Sequence, residues 1–439
     1  MCGGITVGYP ERKLMGATTV TGPDEQGAIK HWLSSIFPAQ QGTFDPLLSF
    51  AAIGLLVVGF IAMSSASIEF AAERYGDPFF HSYRYLFHLG LSLFGALIIY
   101  RIPMNIWERT GWFWLMFAFV LLTLVLIPGI GREVNGSRRW LAFGPLTLQA
   151  SEVAKVCIIL YLAGYLVRRQ DEVRDEWKGF IKPMIVLFAV TILLMLEPDF
   201  GATVVTLCTA FGMIFLAGVR LWQFSLVIMA ALAALIILVV SEPYRLKRLT
   251  AYTDPWADQF DTGYQLTQSL IAFGRGEWLG VGLGNSIQKM FYLPESHTDF
   301  VFAIFAEEFG FIGAMFLIAL FCLLIARILM IARRAEHQQH MFSAFVAYGI
   351  ALMISGQVFI NIGVNIALLP TKGLTLPFLS YGGSSLIVCC ALLAMVFRIN
   401  QELSSSKSPI VKNSIVDGRK LSRTIAARKS RNIQKRALV

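Results

Sequence analysis

The stretch PMIVLFAVTILLMLEPDFGATVVTLCTAFGMIFLAGV, residues 183–219, decides how this chain folds. As a single helix it would run about 55 Å, nearly twice the roughly 30 Å hydrocarbon core of a bilayer. Glu197, Pro198, Asp199 and Gly201 interrupt it midway. Two charges and a proline are not tolerated in the middle of a lipid-facing helix. The stretch therefore reads as two membrane spans joined by a tight outer turn.

Working outward, apolar blocks of similar length begin near Pro46, Tyr83, Trp112, Glu152, Pro183, Phe200, Trp222, Phe300, Phe342 and Ser384. The predicted fold class is an all-α integral membrane protein of about ten transmembrane helices. A large extracytoplasmic loop, residues 242–299, falls between helices 7 and 8. Composition agrees: of 439 residues 56% are hydrophobic and only 15% charged, where a soluble chain carries roughly a quarter charged residues.

Orientation follows from the cations, because short loops rich in Lys and Arg stay in the cytoplasm. With both ends inside, residues 168–182, the group Arg327, Arg333 and Arg334, and the tail beyond Arg398 all lie there. The net charge of +9 is then mostly a tail beside an anionic leaflet, and no nucleic-acid partner is needed to explain it. Three regions are expected: a leader, 1–45, weakly hydrophobic and without a cleavable signal; a transmembrane domain, 46–399; and a basic tail, 400–439. Met15 is an alternative start. Cys157, Cys208, Cys322, Cys389 and Cys390 fall inside spans, which argues against disulfides and zinc.

Four outer segments depart from what a passive loop needs: residues 132–155, 197–201, 242–299 and 370–385. They place Arg138, Arg139, Lys155, Arg245, Lys247, Arg248, Lys289 and Lys372 on the side that topology does not favour for cations. Any one of these can snorkel to the headgroups. As a set they suit a lipid-borne anion, and a lipid diphosphate is the natural candidate. Glu152, Glu197, Asp199, Glu295, Asp299, Glu307 and Glu308 accompany them, and proton transfer and metal binding both need such groups.

Asp299 stands in PESHTDF, just before an apolar span. Ser296 and Asp299 have the spacing of a capping box, so a helix cap and a catalytic carboxylate are both open readings. Glu307 and Glu308, about two turns on, are either a buried structural pair or functional acids. Glu152 and Lys155, three apart, suit an ion pair. The glycines Gly274, Gly276, Gly280, Gly282 and Gly284 have GxGxxG-like spacing, but no strand precedes them. A sharp turn or close approach to a headgroup fits better than a dinucleotide site. His297 is a weak lone signal and does not read as a metal ligand.

The runs NGSRRWLAFGPLTLQASEVAK, LEPDFGA, GYQLTQSLIAFGRGEWLGVGLGNSIQK, YLPESHTDFVFAIFAEEFGFIG and LPTKGLTLPFLSYGGSS resemble the SEDS family (shape, elongation, division, sporulation) of membrane glycosyltransferases. They occur in the family's order from Asp45 to Arg398, and LPTKGLTL resembles the division members more than the elongation members. The long leader does too. Phe291 departs from the acidic residue of some relatives, which puts a regulatory role of that position in doubt.

The resemblance implies an inverting peptidoglycan glycosyltransferase that polymerises lipid II into β-1,4-linked glycan at the division septum, with Asp299 as general base. It also implies substrate contacts for diphosphate or saccharide, for which Arg138, Arg139, Glu152, Lys155, Lys372, Glu295, His297 and Ser380 are the candidates. A divalent cation, Mg²⁺ or Mn²⁺, is plausible on the same ground. The implied partners are undecaprenyl-diphosphate-linked glycan, a septal penicillin-binding transpeptidase and other division proteins in the cell inner membrane. A lipid II flippase would instead need polar groups near the midplane and a path to the cytoplasm; the ionisable residues gather at the outer ends. A non-catalytic division scaffold would leave that convergence unexplained.

Overall fold

A computed structural model describes residues 44–134, 137–144, 146–240, 255–257, 259–260, 263–370 and 373–406. Nearly all of the leader, the tail from residue 407, and Arg245, Lys247, Arg248 and Lys372 lie outside the described residues. The helices that follow the apolar blocks are α1 (Pro46–Tyr75), α2 (Phe80–Arg101), α4 (Gly111–Leu126), α5 (Ala150–Arg168), α7 (Trp177–Leu196), α8 (Phe200–Leu216), α9 (Leu221–Val240), α11 (Val301–His337), α12 (Met341–Asn365) and α13 (Gly383–Ser406). Two short helices, α3 (Met104–Arg109) and α6 (Gln170–Asp175), lie between them.

Among the described residues seven of these helices are long and apolar enough to cross a bilayer. The apolar α4 and α8 are shorter, at 16 and 17 residues. The chain is a multi-pass membrane protein, and the many large apolar side chains exposed on α1, α2 and α7 form a surface that faces lipid rather than water.

Local chemistry sets the helix ends. Asp45 caps α1 by accepting the Leu48 N–H at 3.1 Å, Pro46 fills the first helical position, and Gly76 closes the other end at φ 72°. The break foreseen inside residues 183–219 is present: α7 stops at Leu196, and Asp199 caps α8 through the Ala202 N–H at 3.1 Å.

The fold is mostly helical, as expected, and two of the segments read as loops carry structure of their own. Residues 131–149 form an antiparallel sheet of β1 (Gly131–Val134), β2 (Ser137–Phe143) and β3 (Leu146–Gln149), in the order β1-β2-β3. Arg132 pairs with Trp140 and Trp140 with Gln149. The strands are short, and the Asn135-Gly136 pair standing between β1 and β2 in the sequence is a hairpin signal. The segment 242–299 is also more than loop. It contains α10 (Tyr264–Gly276), which buries Leu266, Ser269 and Ala272 and packs on α11.

The glycine series also finds its use here. Helix α11 is broken at Gly310 (φ 67°, ψ −168°), and the backbone of residues 276–282 supplies the missing ladder partners. The Val281 and Gly282 N–H groups donate to the Glu307 and Glu308 carbonyls at 3.0 and 3.1 Å; the Phe311 and Ile312 N–H groups donate to Glu277 and Trp278 at 2.9 and 3.2 Å. A Cβ at Gly276 would lie 2.2 Å from the Ala306 carbonyl oxygen, and one at Gly280 (φ 82°) 2.1 Å from that of Glu308. The close approach is to another helix, not to a headgroup.

Gly280→Ala therefore adds a left-handed penalty to a backbone clash, and should cost about 3 kcal/mol or more. Gly274→Ala, where a Cβ meets nothing within 4 Å, should be neutral or slightly stabilising. Thermal unfolding of the two variants in detergent checks the contrast; equal midpoints would remove the docking argument.

Candidate active site

Asp299 lies in the turn that feeds α11, half-buried. It does not cap the helix: the cap position is Phe300, and no side-chain capping bond forms there. The turn instead closes on Glu295, whose carbonyl accepts the Asp299 N–H at 3.1 Å. The backbone carbonyl of Asp299 is held from below by two amides of α12, Asn361 Nδ2 and Asn365 Nδ2, each at 3.0 Å. Asn365 Oδ1 also accepts the Ala303 N–H at 3.1 Å, which fixes the first turn of α11. This clamp acts on the backbone of Asp299 and does not engage its carboxyl. A Cβ at Gly373 would sit 3.3 Å from Asp299 Oδ2, so the chain next to Lys372 runs beside the carboxyl.

Burial is the main reason that the Asp299 carboxyl is pushed up to about 7. The Glu295 and Asp199 charges add to the shift and the Arg139 guanidinium opposes it. A carboxylate so placed is divided between its acid and base forms near neutral pH.

Arg139 is carried to this site by β2. Its Nε donates to the Glu197 carbonyl at 3.1 Å and one terminal nitrogen to the Pro198 carbonyl at 2.6 Å, so the guanidinium is fastened to the α7–α8 turn. Asp199, in the same turn, accepts from Ser151 Oγ at 2.8 Å and Gln149 Nε2 at 3.2 Å. The four segments thus meet: the sheet, the α7–α8 turn, the PESHTD turn, and residues 373–385, where Ser384 Oγ accepts the Gln149 N–H at 3.0 Å.

The remaining candidates divide. Arg138 is paired with Glu133 at 3.2 Å on the surface, where both are exposed. Glu152 and Lys155 form a buried ion pair at 2.8 Å, the structural use foreseen for them, so this lysine's charge is met inside the bundle. Glu295 is exposed and accepts from Thr298 Oγ1 at 2.7 Å. Ser380 is buried, and its Oγ accepts the Leu376 N–H at 2.7 Å, shaping the turn rather than facing substrate. His297 packs in a ring cluster with His81, Phe70 and Tyr381, centroids 5.5, 4.9 and 5.9 Å away. Burial holds its imidazole below the usual value, against the pull of Glu295.

Glu307 and Glu308 are buried and tied to the loop: Glu307 accepts from Ser286 Oγ and the Ile287 and Gln288 N–H groups, and Glu308 pairs with Lys289 at 3.1 Å.

Sequence reasoning did not single out Asn361 and Asn365. Their signal was available: two amides one helical turn apart in NIGVN, inside a mostly apolar span. His81 and Tyr381 had no comparable signal, since their relation to His297 is purely spatial.

Residues 46–405 match the family described as cell cycle protein, FtsW, RodA and SpoVE. The probable peptidoglycan glycosyltransferase FtsW of Hahella chejuensis is 53% identical over 379 residues, which is 85% of this chain and 96% of that protein. A chain from a peptidoglycan synthase complex that coordinates polymerisation and crosslinking superposes with a TM-score of 0.68 at 31% identity, over 82% of this chain and 98% of the other. The rod shape determining protein RodA of Thermus thermophilus gives 0.61 at 28% identity, over 82% and 97%.

Proposed function

Since the chain belongs to the FtsW, RodA and SpoVE family, we propose that it polymerises lipid II into β-1,4-linked glycan at the division septum, working on the outer face of the cell inner membrane. The observation that carries this reading is Asp299: a half-buried carboxyl pushed up to about 7, clamped through its backbone and within the electrostatic reach of the fixed Arg139. An alcohol attacks an anomeric carbon only as its proton leaves, and a base is most effective when its pKa lies near the working pH. Asp299 takes the proton from the GlcNAc 4-hydroxyl of one lipid II. That oxygen then bonds to the anomeric carbon of the lipid-linked MurNAc from the face opposite the diphosphate. The bond to undecaprenyl diphosphate breaks, and configuration inverts. Arg139 is placed to meet the charge that gathers on the departing diphosphate, as a preorganised donor should be. Lys372, next to Gly373, is the second cation proposed for that role.

A bound Mg²⁺ or Mn²⁺ would assist the same departure. Among the described residues, however, no three His, Cys, Asp or Glu side chains gather as a ligand set. Asp199 already accepts three protein donors. Among the described residues the side chains present do not fit a resident cation. The partner we propose is a penicillin-binding transpeptidase that cross-links the new strand; the likeness to a chain of a synthase complex supports it.

The test is glycan formation from labelled lipid II by the purified protein with its transpeptidase, across a range of pH. Asp299 must be ionised to act, so the rate should climb as pH rises through about 7. Absence of polymer at every pH, with lipid II crossing vesicle membranes instead, would replace the polymerase by a transporter.

A further inference from the structure

Glu197 is an acid of the site that the transfer reaction does not use. It ends α7 and is fully buried, 0% exposed. Among the described residues both carboxyl oxygens lack a hydrogen-bond partner, although Arg139 lies close enough to bond the backbone carbonyl of the same residue. An ionised carboxylate in this place would draw the guanidinium to itself, because a charge-assisted hydrogen bond is roughly twice as strong as one to a neutral carbonyl. The guanidinium rests on the carbonyls of Glu197 and Pro198 instead.

Two charged groups face Glu197. Asp199, at the start of α8, repels a second negative charge, and Arg139, from β2, attracts it. Helix α4, which packs on α7, contributes no titratable side chain between Gly111 and Leu126. Burial, with the Asp199 charge, outweighs the pull of Arg139 and pushes the Glu197 carboxyl up to about 8.

We propose that Glu197 is a positioning residue of the site: as an uncharged acid it leaves Arg139 seated on the two turn carbonyls, with its positive charge available to Asp299 and a lipid diphosphate. Ionisation of Glu197 captures the guanidinium and withdraws that charge. The effect on diphosphate is exerted through Arg139, not by contact. It rests on the polymerase reading for its substrate, but the geometry requires only that the ligand be a lipid diphosphate.

The experiment is the binding of undecaprenyl diphosphate to the detergent-solubilised protein between about pH 7 and about pH 9.5, with glycan synthesis followed in parallel. In the wild type the Kd should rise about tenfold by about pH 9, as one group with a midpoint of about 8 ionises. Glu197→Gln, which cannot ionise, should hold the low-pH affinity throughout. Arg139→Gln should bind weakly and lose the pH dependence, because the capture then has no object. A flat wild-type profile overturns the proposal without recourse to any variant. So does an equal rise in the wild type and Glu197→Gln. Failure of glycan synthesis with the binding pattern intact would instead remove the polymerase reading and leave the Arg139 switch in place.

Discussion

Asp299→Ala is expected to lower glycan polymerisation by about 10²–10⁴-fold, the usual worth of a positioned general base. The stability of the protein should barely change. Among the described residues the Asp299 side chain makes no hydrogen bond, and α11 begins without a capping contact from it. What holds the turn is the backbone: the carbonyl bonds to Asn361 and Asn365 and the amide bond to Glu295, all of which alanine keeps. The variant should therefore unfold at the same temperature as the wild type while making almost no polymer. Asp299→Asn preserves size and polarity but cannot take a proton, and should be as inactive as Ala. If Asn restored the rate, the carboxyl would be a hydrogen-bonding group rather than a base. A variant that lost stability and activity together would return Asp299 to a structural role.

The second large effect belongs to the loop rather than to the reaction. Lys289 and Glu308 are almost wholly buried, their side chains 2% and 1% exposed. Glu308 Oε1 also accepts from Ser65 Oγ at 2.6 Å and from the Gly284 N–H at 3.1 Å, so the pair ties the loop to both α1 and α11. Removing one partner strands a charge in a low-dielectric interior, which costs about 3–5 kcal/mol. Lys289→Met should therefore destabilise the protein by about that much. The double variant Lys289→Met with Glu308→Gln should cost clearly less than the sum of the two single changes. Chemical or thermal unfolding in detergent reads the cycle. Strict additivity would mean that the two charges do not support each other, and that the loop is anchored by its backbone contacts alone.

Much of this architecture was legible because bilayer physics leaves so few solutions. A lipid core demands about 20 apolar residues per helix, and the ten apolar blocks each became a helix. The break at Glu197, Pro198 and Asp199 was equally plain, because those residues are costly inside a lipid-facing helix. Where outer segments carried charge against the topology rule, the sequence marked the region of the site. It also brought out Asp299, Arg139 and the Glu152–Lys155 pair. The runs around Trp140, Asp199, Asp299 and Gly373 carry the likeness to the family.

Tertiary structure alone decided how those residues are used. Strands of four and seven residues carry too little periodicity to be told from loop, so the sheet that delivers Arg139 was not foreseen. The capping-box spacing at Ser296 and Asp299 was compatible with a local bond; distant amides on α12 took over the backbone and left the carboxyl free. Arg138 and Arg139 are adjacent in sequence, yet one meets Glu133 on the surface and the other the α7–α8 turn: Arg138 pairs with Glu133 and Trp140 with Arg132, so Arg139 is the extra residue of a β-bulge, which re-aims its side chain. Protonation was the least legible of all. Burial and neighbouring charge raise Asp299 to about 7 and Glu197 to about 8, and both are properties of the assembled site. Composition and spacing name the acids; which of them carries a proton depends on what the fold packs around each one.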